Sequence, residues 1–425
     1  MTNTKTVEKV KKPSRIRITK RNDSNFFQQF SARGLTFVGA IVLAIIFLWI
    51  VGGNNPFVSL LYIFQGTFAP VANGGLSITK LVAFLKNFVI LLGIALALIP
   101  SYKMRFWNIG AQGQVLIGGL AAAFCMIYLP NAFASQLADP IGNAGAYNFA
   151  NTMIILLSAL SAMVAGGIWA FIPAFFKAEW KTNETLFTLM MNYIAVLLVQ
   201  LFTNIWRGQK SAMGLINQNS NVGWFWTMDS ANKFLSSTVF IPLILVVVLV
   251  ATTYVYINYT KHGYEINVVG DSIRTAKYTG INVKHVIRRT VTLSGILCGI
   301  VGFFIVSNFD HTISNISDLG YGFTAVIVCW LANFNSFAMV GYSFLIVFLE
   351  KGAKNLADSG YSANLNEYSA QFIVFIIILS VMLGKFFMRY RIYYTFSREH
   401  LMKSLTSGLL DLVPAGEEVT AKEAM

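Results

Sequence analysis

Asn108, Gln112 and Gln114 fall within one short stretch, Arg105-Phe-Trp-Asn-Ile-Gly-Ala-Gln-Gly-Gln114, interleaved with Gly110 and Gly113 and followed by Gly118 and Gly119. Each amide offers donors and an acceptor without charge, so the chemistry available is reversible hydrogen bonding rather than bond cleavage. The stretch heads an apolar run, where an amide is costly unless it is hydrogen-bonded. Two arrangements meet that demand. One is a small-residue helix interface with the amides bonded to neighbouring helices; the other is the lining of a path for a polar, uncharged solute. Three amides so close together exceed what packing needs, which keeps the second arrangement open. Asn192, over two turns into the run that opens at Thr182-Asn-Glu184, is likewise either an interhelical bond or a wall of that path. Asn183 and Glu184 need only capping and the helix dipole to explain them.

A different chemistry resides in Lys261 to Arg289, which carries six Lys/Arg against Glu265 and Asp271. Its centre, Gly270 to Gly280, predicts a short helix capped by Asp271 or Ser272 and stopped by Gly280. Helical spacing groups Arg274 with Tyr278, and Ile273, Ala276 and Lys277 on a neighbouring face. Such a helix offers a second protein an apolar surface rimmed by cations, with Gly270, Asp271, Arg274, Lys277, Tyr278 and Gly280 as the contact candidates. The alternative is an amphipathic helix resting on anionic lipid heads.

Catalytic chemistry is not signalled. Cys125, Cys298 and Cys329 lie in apolar runs, and His262, His285, His311 and His400 have no metal-ligand spacing. No G-x-x-x-x-G-K-[ST] phosphate cradle is present. Carboxylates are almost lacking in the apolar runs, which argues against a carrier coupled to protons or sodium through buried acids. Energy for any transport then has to come from another chain.

The elements that position these residues are membrane spans. Of 425 residues, 56% are hydrophobic and 12% charged, against roughly 25% charged in soluble domains. Leu35–Val51, Lys80–Pro100, Phe106–Leu129, Asn151–Phe176, Asn183–Trp206, Val239–Tyr259, Thr290–Asn308 and Ser369–Met388 each read as a crossing. Residues 321–332 and 337–349 read as two short pieces, either paired short helices or a re-entrant element. This gives an all-α, polytopic bundle of about eight to ten transmembrane helices. Residues 1–33 hold nine Lys/Arg against Glu8 and Asp23, while residues 52–79 hold no charge. That positive-inside bias puts both termini and the 261–289 loop in the cytoplasm. It also explains the net charge of +14 without nucleic acid. The domains are a basic tail 1–34, a membrane domain 35–390 and a second tail 391–425.

Four ordered stretches carry a resemblance. Trp107-Asn-Ile-Gly-Ala-Gln-Gly-Gln114 is similar to F-N-I-G-A-E-G-Q. Thr182-Asn-Glu184 with Met190-Met-Asn-Tyr-Ile-Ala195 resembles V-N-E followed by M-L-N-Y-I-A. Gly263 to Asn282 resembles G-x-x-x-x-A-V-G-x-x-x-x-A-A-x-Y-x-G-I-N, and Gly320-Tyr-Gly-Phe323 a late G-Y-G-F. These phrases belong to permease subunits of bacterial ABC importers in the branched-chain amino-acid and simple-sugar superfamily, most closely its nucleoside-uptake branch. Gln112 stands where the family has an acid, Trp107 where it has Phe, Val268 for the first alanine of the loop, and Thr275-Ala276 for its alanine pair.

The resemblance implies a multi-pass plasma-membrane subunit whose path is shared with a second permease, identical or different. ATPase subunits would engage Lys261 to Arg289 as a coupling helix, holding the ATP and Mg that this chain does not bind. An extracytoplasmic substrate-binding lipoprotein would deliver a nucleoside. The amides Asn108, Gln112, Gln114 and Asn192 would face the path. A simple sugar such as ribose is the alternative solute, and an ATP-independent channel or secondary carrier is the alternative of another class.

Overall fold

In hydrocarbon every backbone polar group has to be paired internally, so the apolar runs fold as helices. The computed structural model describes residues 16–20, scattered positions in 39–50, and residues 55–70, 77–139, 142–210, 213–227, 233–317, 319–361 and 367–394. Eight of the seventeen residues of the expected span Leu35–Val51, and most of both tails, lie outside these residues; the described residues of the span are helical.

Two compact units are present, one of residues 46–374 and one combining 1–45 with 375–425. In the second, β1 (Ile16–Lys20) pairs antiparallel with β2 (Tyr390–Tyr394), Ile16 opposite Tyr394. This short strand pair accompanies the helices. Its sequences, Ile-Arg-Ile-Thr-Lys and Tyr-Arg-Ile-Tyr-Tyr, are rich in β-branched and aromatic residues that favour strands.

The first unit is helical, in the order α1 (Pro56–Phe68), α2 (Ile78–Lys103), α3 (Ala111–Ala132), α4 (Ala144–Trp180), α5 (Glu184–Arg207), α6 (Phe240–Tyr259), α7 (Lys261–Asp271), α8 (Ile273–Tyr278), α9 (Val283–Phe304), α10 (Tyr321–Leu331) and α11 (Ser336–Asp358). A last helix, α12 (Glu367–Arg389), runs from this unit into the other. Among the described residues seven helices, α2 to α6, α9 with its extension to Phe309, and α11, are long and apolar enough to cross a membrane. The protein is a polytopic all-α bundle.

Several boundaries differ from the sequence reading. The uncharged stretch 52–79 contains α1, whose Pro56 sits in the first turn behind an Asn55 cap. The stretch 337–349 is not short. It continues through Glu350, Lys351 and Lys354 as the 23-residue α11, because charges near a helix end do not interrupt its backbone pairing. The short helix expected within Gly270–Gly280 is present as α8, followed by Gly280 at positive φ, and a separate helix, α7, precedes it, the two dividing at the cap residue Ser272. That residue is extended, and its side chain accepts from Thr275 N at 3.3 Å.

α2 is the centre, buried from Phe88 through Tyr102. Beside it α4 and α9 cross at glycines: a Cβ on Gly166 would lie 2.9 Å from the Gly299 Cα, so small residues let the backbones meet. α9 widens into a π-helical turn, Ile305–Phe309, and none of the described residues from there to α10 lies in a helix or strand. One end of the bundle gathers the turn after Lys103, the α4–α5 connection and α7–α8. The opposite end gathers the 213–227 loop, where Phe225 N donates to Ser307 O at 2.8 Å and the Trp224 ring stacks on His311 at 3.6 Å.

Candidate functional site

Between α2 and α3 the chain turns through Phe106–Gly110, and this turn is knitted by amides. Asn108 is fully buried, and its Oδ1 accepts from Gly110 N and Gln114 Nε2, each at 3.1 Å. Its carbonyl accepts from the Tyr102 hydroxyl at 3.0 Å. Asn192 of α5 accepts from Gly113 N at 2.9 Å and donates from Nδ2 to Ile109 O at 2.9 Å. Thr188, one turn earlier, accepts from Ile109 N at 3.2 Å. Asn108, Gln114 and Asn192 therefore clamp the turn to α3 and α5, which is how buried amides become tolerable.

Gln112 is held differently. It is only half-buried, and α10 starts against it, with Gly322 packed on its backbone. The first and last of the four motif stretches thus meet at Gln112 and Gly322, although they lie far apart in sequence.

Next to Gly322, Tyr321 donates to Glu350 Oε2 of α11 at 2.8 Å, and Asn87 of α2 also reaches the phenol. Lys86 pairs with Asp310, just past the π-helical turn, and Lys80 donates to Asn355 Oδ1 at 2.7 Å. The sequence reading missed this polar group. Tyr321 lies in the Gly320–Phe323 phrase, whereas Glu350 falls one residue beyond the apolar stretch 337–349 and nothing in the local sequence marks it. Among the described residues, Glu350 is the carboxylate set furthest from either end of a membrane-length helix.

At the basic end, Arg274, Lys277, Asp271 and Gly280 are exposed, and Tyr278 is 93% exposed. Ile273 is exposed beside them and Ala276 is buried beneath. Gly270 is buried, because α7 lies against the end of α2 so tightly that a Cβ there would overlap the Lys103 carbonyl oxygen. A cleft of 420 Å³ runs under α8, lined among others by Arg105, Lys177, Glu184, Asp271 and Arg274.

Ion pairs tie this end to the spans. Glu179 takes Lys284 at 2.5 Å and Arg288 at 3.1 Å, and Glu265 of α7 takes Arg289 at 2.9 Å. Burial pushes the Glu265 carboxyl up, but the hydrogen bond and charge of Arg289, helped by His262, outweigh it and hold the group below its ordinary range.

Over residues 80–382 the chain matches the family described as branched-chain amino acid transport system, permease component. It is 26% identical over 296 residues to a guanosine ABC transporter permease protein of Bacillus subtilis, covering 69% of this chain and 77% of that one. A nucleoside ABC transporter permease protein of Lactococcus lactis is 25% identical, over 68% of this chain and 78% of its own. A glucose ABC transporter permease protein of Haloferax volcanii is 26% identical, over 73% and 77% respectively. No solved structure gives a significant match. Helices of membrane length and a family match over most of the chain agree: the protein belongs to the branched-chain amino acid transport system permease family and is an ABC-type transport subunit, multi-pass in the plasma membrane.

Proposed function

We propose that this chain is the permease of an ATP-driven importer of nucleosides. The observation that carries this reading is the meeting of Gln112 with Gly322. An amide-rich turn adjoins a break in regular structure, and irregular backbone at membrane depth is tolerated where it is buried in protein or lines a water-filled cavity. Gln112 faces the solute there, and Asn108, Gln114 and Asn192 hold the turn that presents it. Neutral amides suit an uncharged solute with both donors and acceptors. The relatives named for guanosine and nucleosides support that choice over a sugar.

The exposed α8 is the coupling element. Asp271, Arg274, Lys277 and Tyr278 meet an ATPase subunit that binds ATP and Mg, while Gly270 and Gly280 shape the helix ends. Both termini and this loop are cytoplasmic, and a second permease and an extracytoplasmic binding lipoprotein complete the assembly. ATP-driven closure then moves α7 and α8 as a lever on α2 and α9, a rigid-body switch.

Uptake of radiolabelled guanosine and ribose by vesicles containing the complete complex tests the solute. Transport of ribose alone refutes the nucleoside reading and favours the sugar one, for which the glucose permease relative speaks. Nucleotide-independent flux through liposomes holding this chain alone would favour a channel.

A further inference from the structure

Ionisable groups within membrane-length helices face water or one another, and Glu350 is such a group, held by Tyr321 next to the Gly322 that packs on Gln112. Glu350 lies eight residues before the end of α11 at Asp358, about 12 Å in from that end at 1.5 Å per residue. The Tyr321 hydroxyl occupies one lone pair of Oε2; an ionised carboxylate has about four acceptor positions, so most remain for other donors. Lys351 and Lys354 act electrostatically on Glu350, and Lys86 acts on Lys351.

We propose that Glu350 is a specificity-determining residue that reads the base of the solute. The proposal rests on the nucleoside reading above. A carboxylate is a bidentate acceptor best matched by two adjacent N–H donors, and Lys354, one turn further along the same helix, supplies a donor. The ligand edge complementary to that pattern runs donor, donor, acceptor. Guanine presents this sequence in its 2-amino group, N1–H and O6. Adenine presents a bare N1 acceptor toward the carboxylate and is disfavoured. A ribose hydroxyl pair bound there would leave the site indifferent to the base. Tyr321 is a positioning residue: it holds the carboxylate in place from the start of α10, next to the amide turn.

The test is uptake of guanosine, inosine and adenosine by the complete complex, for the unaltered protein, Glu350→Gln and Tyr321→Phe, each quantified in the membrane. The unaltered complex is expected to prefer guanosine to inosine and inosine to adenosine. Glu350→Gln loses about tenfold or more of guanosine uptake with adenosine changed little, as removal of a charge-assisted hydrogen bond predicts. Tyr321→Phe raises the guanosine KM by a smaller factor and leaves adenosine alone; it also carries the test if Glu350→Gln does not reach the membrane. Equal losses for all three nucleosides in both variants would assign the pair a structural role and overturn the proposal. Base-indifferent uptake by the unaltered complex would overturn it while leaving the nucleoside reading intact, whereas uptake of no nucleoside would sink both.

Discussion

Gly322 lies so close to Gln112 that a Cβ on it would stand 2.6 Å from the Gln112 Cβ and 2.7 Å from its backbone nitrogen. No side chain fits between the start of α10 and the start of α3, so the two motif stretches share one register. Gly322→Ala should push them apart and cost on the order of 1–3 kcal/mol, as overpacking does. Gly341→Ala, with nothing within 4 Å of its added methyl, is the control. Uptake and thermal denaturation of the purified complex, measured for both, check this; equal behaviour would contradict it.

Asn108 gives a second prediction. Its removal in Asn108→Ala strands Gly110 N–H and leaves the Gln114 amide without its partner. Each unpaired buried group costs about 1–3 kcal/mol. The melting temperature in detergent should therefore fall well below that of Gln112→Ala, whose side chain is less buried. Gln112→Ala should instead lower uptake with stability nearly unchanged.

At the other end, stability and partner binding should separate. Tyr278→Ala and Arg274→Ala remove exposed side chains and are expected to leave folding intact while reducing ATPase association in pull-downs. Gly270→Ala should damage the seating of α7 on α2, because its methyl would meet the Lys103 carbonyl. ATPase hydrolysis that persists without transport in Gly270→Ala would be the sign of a detached lever. Unchanged association and uptake for the Arg274 and Tyr278 variants would remove α8 from the coupling role.

Glu265 makes the loop sensitive to acid. Its carboxyl titrates below the ordinary 4.5 in the folded protein, so the unfolded chain takes up its proton first as pH falls. The Arg289 clamp is thus fully stabilising above about pH 4.5 and is lost as pH drops through the lower folded value. Melting temperatures between pH 7 and 3.5 should show an acid decline that Glu265→Gln makes shallower. An identical decline in both proteins would show that the clamp contributes nothing.

Much of the bundle was legible because lipid imposes one rule, helical pairing over long apolar runs, and α2 to α6 and α9 obey it. The existence of α8 could be read from its Ser272 cap and Gly280 stop. What escaped depended on tertiary partners. α11 was cut short at Glu350 because a charge in a run resembles an ending when the phenol that holds it is out of view. α7, the helix before Ser272, is seated by the fit of Gly270 against the Lys103 carbonyl, a neighbour far away in sequence. Whether Asn108, Gln114 and Asn192 bond to protein could not be decided from spacing, since an amide that clamps a turn and one that touches a solute are the same letter.

The pairing of Ile16–Lys20 with Tyr390–Tyr394 makes the chain between them a closed circuit. A closed circuit passes through any sheet an even number of times. Among the described residues the helices long and apolar enough to cross number seven, and with each of them crossing, the other segments together have to contribute an odd number of passages. Reporter tags placed before Ile16 and after Tyr394 should consequently light up in the same compartment, whichever compartment that is.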